Sequence, residues 1–504
     1  MDKRTLLAVI LSILVLMIFQ YMYAPSPQQV VSENATADNT TIKKPVVEQV
    51  DVTQIEKDNN QVFKPDLFNI TTDYVAISFD KNSGDIYSAS ILKYKDKDIG
   101  KVVFKSKEKN YLALENISYD KVEYIIEDKG DEISVSFNCF IKDVVITKNY
   151  FIPKHNYLIR YSLKLSNTGS KTIKFPLTLS VGPDLGEGFS ESKYEFEGAI
   201  VFNGKKVYRE RPEKLKKDVI IEKPNWLGYT SKYFLFAIAS DFDKSIIKKF
   251  KDSAVVNGIK ELILNPSESK QINMSIFTGP KEYKLLRSTG LKLEKSINFG
   301  IFAFLAIPLL LLMNLFYSII HNYGVAIILL TIIIKIVTYP LTLKSMTSMK
   351  KMQKIQPEIQ KIREKFKGDP QKMNAAMMDL YRKYGVNPMG GCLPMLIQIP
   401  IFFALYKALL VSIELKGSPF FGWITDLSVK DPYYITPILM GVTMFIQQKM
   451  TPQVGDPTQQ KLFMFMPIIF TFLFLNFPSG LVIYWLTNNI LTIIQQYFIN
   501  KKTT

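Results

Sequence analysis

A lysine in the middle of an apolar segment is the residue whose presence most needs a chemical reason. Lys335 lies within Ile327 to Tyr339, where a charge costs about 3 kcal/mol or more if the segment crosses a bilayer. Thr331, Lys335, Thr338 and Thr342 follow one another at i, i+4, i+7 and i+11. At roughly 100° per residue, all four fall within a sector of about 60° on one helix. Tyr484, Asn488, Thr492 and Gln495 repeat the pattern on a later apolar segment, and Gln398 stands on a third. Polar stripes on several such segments predict a wet cavity between helices, with Lys335 offering its charge to something negative. The plainer reading of Lys335 is a side chain that snorkels to the interface. Its depth makes that strained, and Lys407, nearer the end of its own segment, is the better snorkeller. No acid lies inside the apolar segments to pair with Lys335.

Other reactive groups are scarce. The chain has two cysteines, Cys139 and Cys392, and two histidines, His155 and His321. A structural zinc site, a disulfide framework and most histidine-based catalysis are therefore not expected. No GxxxxGK[ST] motif marks an ATP-driven motor, and no convincing carboxylate pair accompanies His155. We expect no catalytic residue, no cofactor and no metal, and so not an enzyme.

The elements that must carry the polar stripes follow from where the apolar residues lie. The 504 residues have a formal net charge of +17, with 47% hydrophobic and 22% charged residues. The apolar residues concentrate in the first two dozen positions and again after Gly300, which describes a multi-domain membrane protein with a large water-soluble insert. Lys3 and Arg4 precede an apolar run, Thr5 to Tyr23, about 28 Å long as a helix. We read residues 1–23 as a membrane anchor with its basic end in the cytoplasm. A cleaved signal peptide is the alternative, but Tyr21-Met22-Tyr23-Ala24-Pro25 lacks a small residue at −3. Residues 24–60, rich in Ser, Asn, Thr, Gln and Pro, read as a flexible linker. Residues 61–285 alternate in short runs such as Ile133-Ser134-Val135-Ser136-Phe137, separated by turn signals such as Asn82-Ser83-Gly84-Asp85. They predict an all-β sandwich, exported by the anchor. A sugar-binding or sugar-modifying module is one reading of it; a docking or spacer domain is the one we favour.

Two apolar blocks follow, Ile301 to Ile320 and Gly324 to Leu343. Residues 344–388 are so basic that they belong in the cytoplasm, so just one block can cross. Residues 286–323, with Pro308 and Asn314, are expected along the outer interface, and residues 324–343 across the membrane. In residues 344–388, Met346, Met349, Met352, Ile355, Ile359, Ile362 and Phe366 form one helical stripe. Met373, Met377, Leu380 and Tyr384 form another, beyond Gly368-Asp369-Pro370. An antiparallel hairpin results, its Met-rich side being either the seam or an adaptable binding surface. Further spans are expected at 389–413, 433–448, 462–477 and 480–498, with a periplasmic loop at 414–432, a cytoplasmic loop at 449–461 and a short cytoplasmic tail at 499–504. This makes six spans with both termini in the cytoplasm, two of them only about 24 Å long, which favours a locally thinned bilayer.

Four motifs in this region resemble those of the YidC/Oxa/Albino family of membrane protein insertases. They are Thr338-Tyr339-Pro340-Leu341-Thr342, Asn387-Pro388-Met389-Gly390-Gly391-Cys392-Leu393-Pro394, Gln398-Ile399-Pro400-Ile401-Phe402-Phe403-Ala404-Leu405-Tyr406 and Phe477-Pro478-Ser479-Gly480-Leu481. The resemblance extends over nearly the whole chain. It implies the Gram-negative form: an N-terminal anchor helix, a periplasmic β-supersandwich, an interfacial helix and an α-helical five-span insertase core in the bacterial inner membrane. It further implies a hydrophilic groove open to cytoplasm and lipid, whose positive residue, commonly Arg, is here Lys335. On this likeness Thr331 and Gln398 line the groove, and Tyr484 and Trp485 match aromatic positions of the last span. Thr338 and Asn488 join them from the polar stripes. Asn476 stands where relatives often have Trp, and the tail ends at Lys501-Lys502-Thr503-Thr504.

The expected function is insertion and chaperoning of other membrane proteins, alone or with the Sec translocon. Partners implied are nascent membrane proteins, the Sec translocon with its accessory subunits, the ribosome or targeting machinery at the hairpin, and membrane lipids, with no specific nucleic acid. The rival from another class is a small-solute transporter with a cationic intramembrane site, which would call for inverted repeats that the chain does not display. A periplasmic sugar enzyme on a membrane anchor leaves the helical core unexplained.

Overall fold

In Val144–Pro153 buried and half-buried positions alternate without interruption. Val144, Ile146, Lys148, Tyr150 and Ile152 therefore face a core, while Asn149 and Phe151 face away from it. This strand belongs to the β region of a computed structural model that describes residues 50–51, 65–94, 102–106, 110–115, 117–182, 185–187, 189, 196–251, 253–386, 393–451 and 457–502. The expected anchor, most of the linker, Asn387 to Cys392 and Thr503-Thr504 lie outside the described residues. One piece of the expected linker, Val50–Asp51, pairs in parallel with Ile173 and Lys174, so it is attached to the β domain at that point.

A nine-stranded antiparallel sheet runs from Val207–Glu210 through Gly198–Phe202, Trp226–Thr230, Phe234–Ala239, Ser269–Pro280, Leu158–Asn167, Val144–Pro153 and Glu132–Ile141 to Lys121–Asp128. Two five-stranded sheets cover one of its faces. One contains Leu67–Thr71, Val75–Asp80, Ile86–Ile91, Val102–Phe104 and Gly186–Glu187. The other is built on Ile173–Val181, Ser253–Leu264, Lys244–Phe250 and Val219–Glu222 beside Val50–Asp51. Ring contacts such as Phe79–Tyr150 at 4.9 Å and Tyr111–Phe236 at 4.5 Å join the layers. The result is the all-β supersandwich expected. A buried polar fastener crosses it: Lys148 Nζ donates to the Ser83 carbonyl at 2.8 Å and to the Asp85 carboxylate, and the Tyr150 hydroxyl donates to the Gly84 carbonyl at 2.9 Å. Gly84 has φ +69°, and a Cβ there would meet the Phe137 ring at 2.7 Å, so this turn requires glycine.

The helical region comprises α1 (Tyr283–Ser288), α2 (Ala303–Ile320), α3 (Tyr323–Lys354), α4 (Gln356–Lys365), α5 (Pro370–Tyr384), α6 (Leu393–Val411), α7 (Ile435–Met450), α8 (Pro457–Phe474) and α9 (Ser479–Lys502). Among the described residues α2 and α3 are long and apolar enough to cross a membrane, and Leu396–Val411 and Met464–Phe474 are shorter apolar stretches. His321 in the left-handed region ends α2, and the Asn322 side chain accepts from the Val325 N–H to start α3. No breaker stands at position 343 or 344, so α3 runs on to Lys354. The expected limit between span and hairpin thus falls inside one helix, and the hairpin begins where Pro357 sets a new first turn. Asp369 caps α5 through the N–H groups of Gln371 and Lys372, and Gly385 closes it. The hairpin seam is Met352, Ile355, Ile359, Leu380 and Val386. Ile362, Met377 and Tyr381 pack against it half-buried, so methionine makes up two of the eight positions.

The last helix is aimed by the loop before α7. The Ser479 N–H and hydroxyl both donate to the Val429 carbonyl at 2.7 Å, and the Gly480 N–H donates to Leu427 at 3.0 Å. The Phe-Pro-Ser-Gly motif is therefore an anchoring turn. Asp431 anchors α7, accepting from the Thr436 N–H and hydroxyl, the Tyr433 N–H and Trp423 Nε1. A Cβ at Gly441 would overlap Thr471 Oγ1, so glycine here permits the close approach of α7 and α8.

Candidate functional site

The polar stripe on α3 is a consequence of how threonine behaves in a helix. Thr331, Thr338 and Thr342 donate their hydroxyl protons to the carbonyls of Ile327, Ile334 and Thr338 at 2.7, 2.8 and 3.1 Å. Each hydroxyl oxygen then has only acceptor capacity left for a neighbour. Thr492 on α9 does the same with the Asn488 carbonyl at 2.7 Å. Its oxygen faces Lys335, whose Nζ donates to it at 2.8 Å. An ammonium on an apolar helix is thus held between α3 and α9 by a neutral acceptor. Among the described residues no acidic side chain interacts with it.

A second polar contact lies on the same side of α9. Gln398 on α6 donates through Nε2 to the Tyr484 hydroxyl at 2.6 Å. Tyr484, Asn488 and Thr492 are four residues apart in turn, so the two contacts lie about 12 Å apart along the helix axis. The structure brings together Lys335, Gln398, Tyr484 and the Asn488 backbone around α9. Thr331 belongs to the same face of α3 but is fully buried, as is Tyr484. Trp485 points elsewhere: its ring meets Phe402 at 4.8 Å, Phe474 at 5.4 Å and Phe470 at 5.9 Å, an aromatic cluster joining α6, α8 and α9. Lys407 is buried at 7% exposure inside the protein, which is not the disposition of a snorkelling side chain.

The sequence reading missed a further polar set on the α7 side of α9. Asn489 is buried and donates to the Met440 carbonyl and Thr443 hydroxyl, both at 3.4 Å, and Gln496 donates to Thr451 at 2.9 Å. The side-chain carbonyl oxygens of Gln447 and Gln496, and that of Gln495 from the predicted stripe, are buried with no partner among the described residues. Unpaired amide oxygens in a helix bundle call for water. The signal was present, since Asn489 and Gln496 are two helical turns apart, but it lay one residue off the stripe containing Tyr484.

Beyond the helices, Glu414 follows α6 at the junction with the β domain, where Asn314 Nδ2 donates to it at 3.4 Å. Nearby Lys416 lies 5.7 Å above the Tyr233 ring and 5.6 Å above that of Phe234, both β-domain residues. Burial pushes the Glu414 carboxyl up to about 7, helped by the charge of Glu282. Groups of three or more potential metal ligands are absent among the described residues.

Residues 67–312 match the family model described as YidC periplasmic domain, and residues 315–504 match that described as 60Kd inner membrane protein. A membrane protein insertase YidC from Geobacter sulfurreducens is 40% identical over 524 residues, covering 99% of this chain and 98% of that protein. Another, from Syntrophus aciditrophicus, is 47% identical over 371 residues, covering 71% of this chain and 67% of that protein. A crystal structure described as active YidC insertase with the first transmembrane domain resolved aligns over 99% of this chain and 100% of that chain, at 20% identity and a TM-score of 0.39.

Proposed function

The chain belongs to the YidC family of membrane protein insertases, and from that premise we propose how its helical core handles a client. Its clients are nascent membrane proteins, and its place is the bacterial inner membrane, with a periplasmic domain. In our reading the hydrophilic end of a client enters a hydrated groove among α3, α6 and α9, where Lys335 attracts acidic groups and the polar stripe accepts the rest. α7, at 16 residues, is about 24 Å long, and a bilayer thinned around it shortens the crossing. The client's apolar segment then moves into lipid, and its removal from water drives the step. No covalent chemistry is required.

The observation that carries this reading is the environment of Lys335: one neutral hydroxyl at 2.8 Å and no acid among the described residues to neutralise it. A structural ion pair would neutralise the ammonium, whereas this one is available to a client. We further propose six spans with both termini cytoplasmic, action alone or beside the Sec translocon, and receipt of clients from the ribosome or targeting machinery at the α4–α5 hairpin.

The test is insertion of a single-span client whose translocated tail is made acidic or neutral, by protein reconstituted in liposomes. Lys335→Arg keeps the sign and retains insertion. Lys335→Glu turns attraction into repulsion in a medium of lowered dielectric, so acidic tails fail most. Lys335→Ala lies between, because the threonines and Gln398 still hydrate the groove. Neutral tails are nearly indifferent to all three. Equal loss for acidic and neutral tails would refute electrostatic capture and make Lys335 a residue of bundle geometry.

A further inference from the structure

The face of the nine-stranded sheet opposite the two five-stranded sheets holds a cleft of about 860 Å³, within the usual range for a ligand site. Its floor is built by register. Asn149 stands directly opposite Ser162, and Ser162 opposite Asn273, on three adjacent strands. Water-facing positions of a sheet ordinarily carry long charged side chains, as Lys164 does one step along the same strand face. Here short neutral amides and hydroxyls lie side by side, and Ser162 is only 8% exposed.

Two further observations point to a ligand. Among the described residues no hydrogen bond occupies the Asn149 carboxamide or the Ser162 hydroxyl, and the cleft-lining Ser240 Oγ is shielded from solvent with no partner. The charges at the rim, by contrast, are largely committed. Arg160 is held by both oxygens of Glu132 at 2.9 and 2.6 Å, and Asp241 by Lys260 at 3.0 Å. The floor is thus neutral and dense in donors and acceptors, and Phe151, Pro224 and Leu291 add apolar wall. That combination suits a molecule with hydroxyl edges and C–H faces. An extended peptide fits less well. The strands under the cleft are paired on both sides, so their backbones have no free edge for strand addition.

We propose that this cleft of the periplasmic domain binds a neutral oligosaccharide, of the kind found in cell-envelope glycans. The test uses the full chain in lipid nanodiscs, with chitotetraose, maltotetraose and an uncharged Ser/Asn-rich decapeptide as probes, followed by saturation-transfer NMR and calorimetry. At least one of the two sugars binds with a millimolar or tighter Kd. Asn149→Ala and Asn273→Ala each weaken it by about fivefold or more, as loss of a hydrogen bond requires. Ser162→Leu, which fills the floor, abolishes binding. Asn149→Ala leaves the melting temperature unchanged, because the side chain has no partner to lose. Absence of sugar binding up to about 10 mM, binding of the peptide alone, or sugar binding unaffected by Asn149→Ala and Ser162→Leu would each overturn the proposal.

Discussion

Of the lysines withdrawn from bulk water among the described residues, Lys148 in the β domain and Lys335 in the helical core are treated oppositely by the two halves of the molecule. In the β domain the Lys148 side chain is fully buried, its ammonium shared between the Asp85 carboxylate and the Ser83 carbonyl. Burial alone would lower its pKa, and the Asp85 charge more than reverses this, so the group stays protonated. In the helical core Lys335 meets one threonine hydroxyl, and no acid among the described residues. The β domain uses a charge as a fastener between layers, bound to one carboxylate and one carbonyl. The core keeps a charge without an acid beside it, at an energetic cost, and the proposed capture of acidic clients would give that cost a use.

The largest expected effect breaks the fastener. Lys148→Met leaves Asp85 as an unpaired buried acid, at a cost of about 3–5 kcal/mol. The loss is read as faster hydrogen exchange in Val144–Pro153 and Leu158–Asn167. Replacing both partners, Lys148→Met with Asp85→Leu, recovers most of it, since an apolar pair of similar volume removes the stranded charge. If the double substitution is as damaging as the single, the pair is more than a fastener. Lys335→Met predicts the opposite sign. Removing an unneutralised cation from among the helices stabilises the core by about 1–2 kcal/mol, raising its melting temperature while insertion of acidic-tailed clients falls. Loss of stability in this variant would show that Lys335 serves the fold as Lys148 does.

Much of this contrast was legible in the sequence, and the rest was hidden for identifiable reasons. Spacing alone put Thr331, Lys335, Thr338 and Thr342 on one face of a helix, and the alternation of residues 133–137 gave their strand. Thr492 as the partner of Lys335 was not legible, because pairing between helices 157 residues apart depends on their packing. Tyr484 and Trp485 were read as one site, yet neighbours on a helix point about 100° apart, and packing sent Trp485 to the aromatic cluster. Lys148 occupies an inward register position in its strand, but its acid lies 63 residues away, across a layer no local pattern reveals. α3 continues past position 343, the expected limit of the span, because the charge changes there without any helix breaker.

A smaller effect tests the joint between the two regions. Glu414, raised to about 7 from its ordinary 4.5, is surrounded by Glu282, Lys284 and Asn314. A carboxyl whose folded pKa is raised contributes stability that is full below its unfolded value and lost as pH rises through the folded one. The junction therefore weakens between about 4.5 and about 7. Glu414→Gln flattens that dependence, so the variant exceeds the parent in melting temperature at about pH 8 and matches it at about pH 5. An unchanged slope would assign the titration to another group.

The smallest effect concerns the hydroxyl that holds Lys335. Thr492→Val keeps the shape of the side chain and removes both the donation to Asn488 at 2.7 Å and the acceptance from Lys335 at 2.8 Å. The Asn488 carbonyl retains its place on the helix, so what is lost is chiefly the tether on the ammonium, worth about 1 kcal/mol. Released, Lys335 keeps its charge but samples more positions in the proposed groove. Insertion of acidic-tailed clients then falls by about fivefold at most, well short of the loss in Lys335→Glu, and neutral tails are unaffected. Thr492→Ser, which retains the oxygen, restores the parent rate. If Thr492→Val instead matches Lys335→Ala, then the location of the charge matters as much as its sign, and α9 is a positioning element for the groove. Equal rates in Thr492→Val and parent would mean that a client meets a charge free to find it, which is what separates this lysine from the clamped one in the β domain.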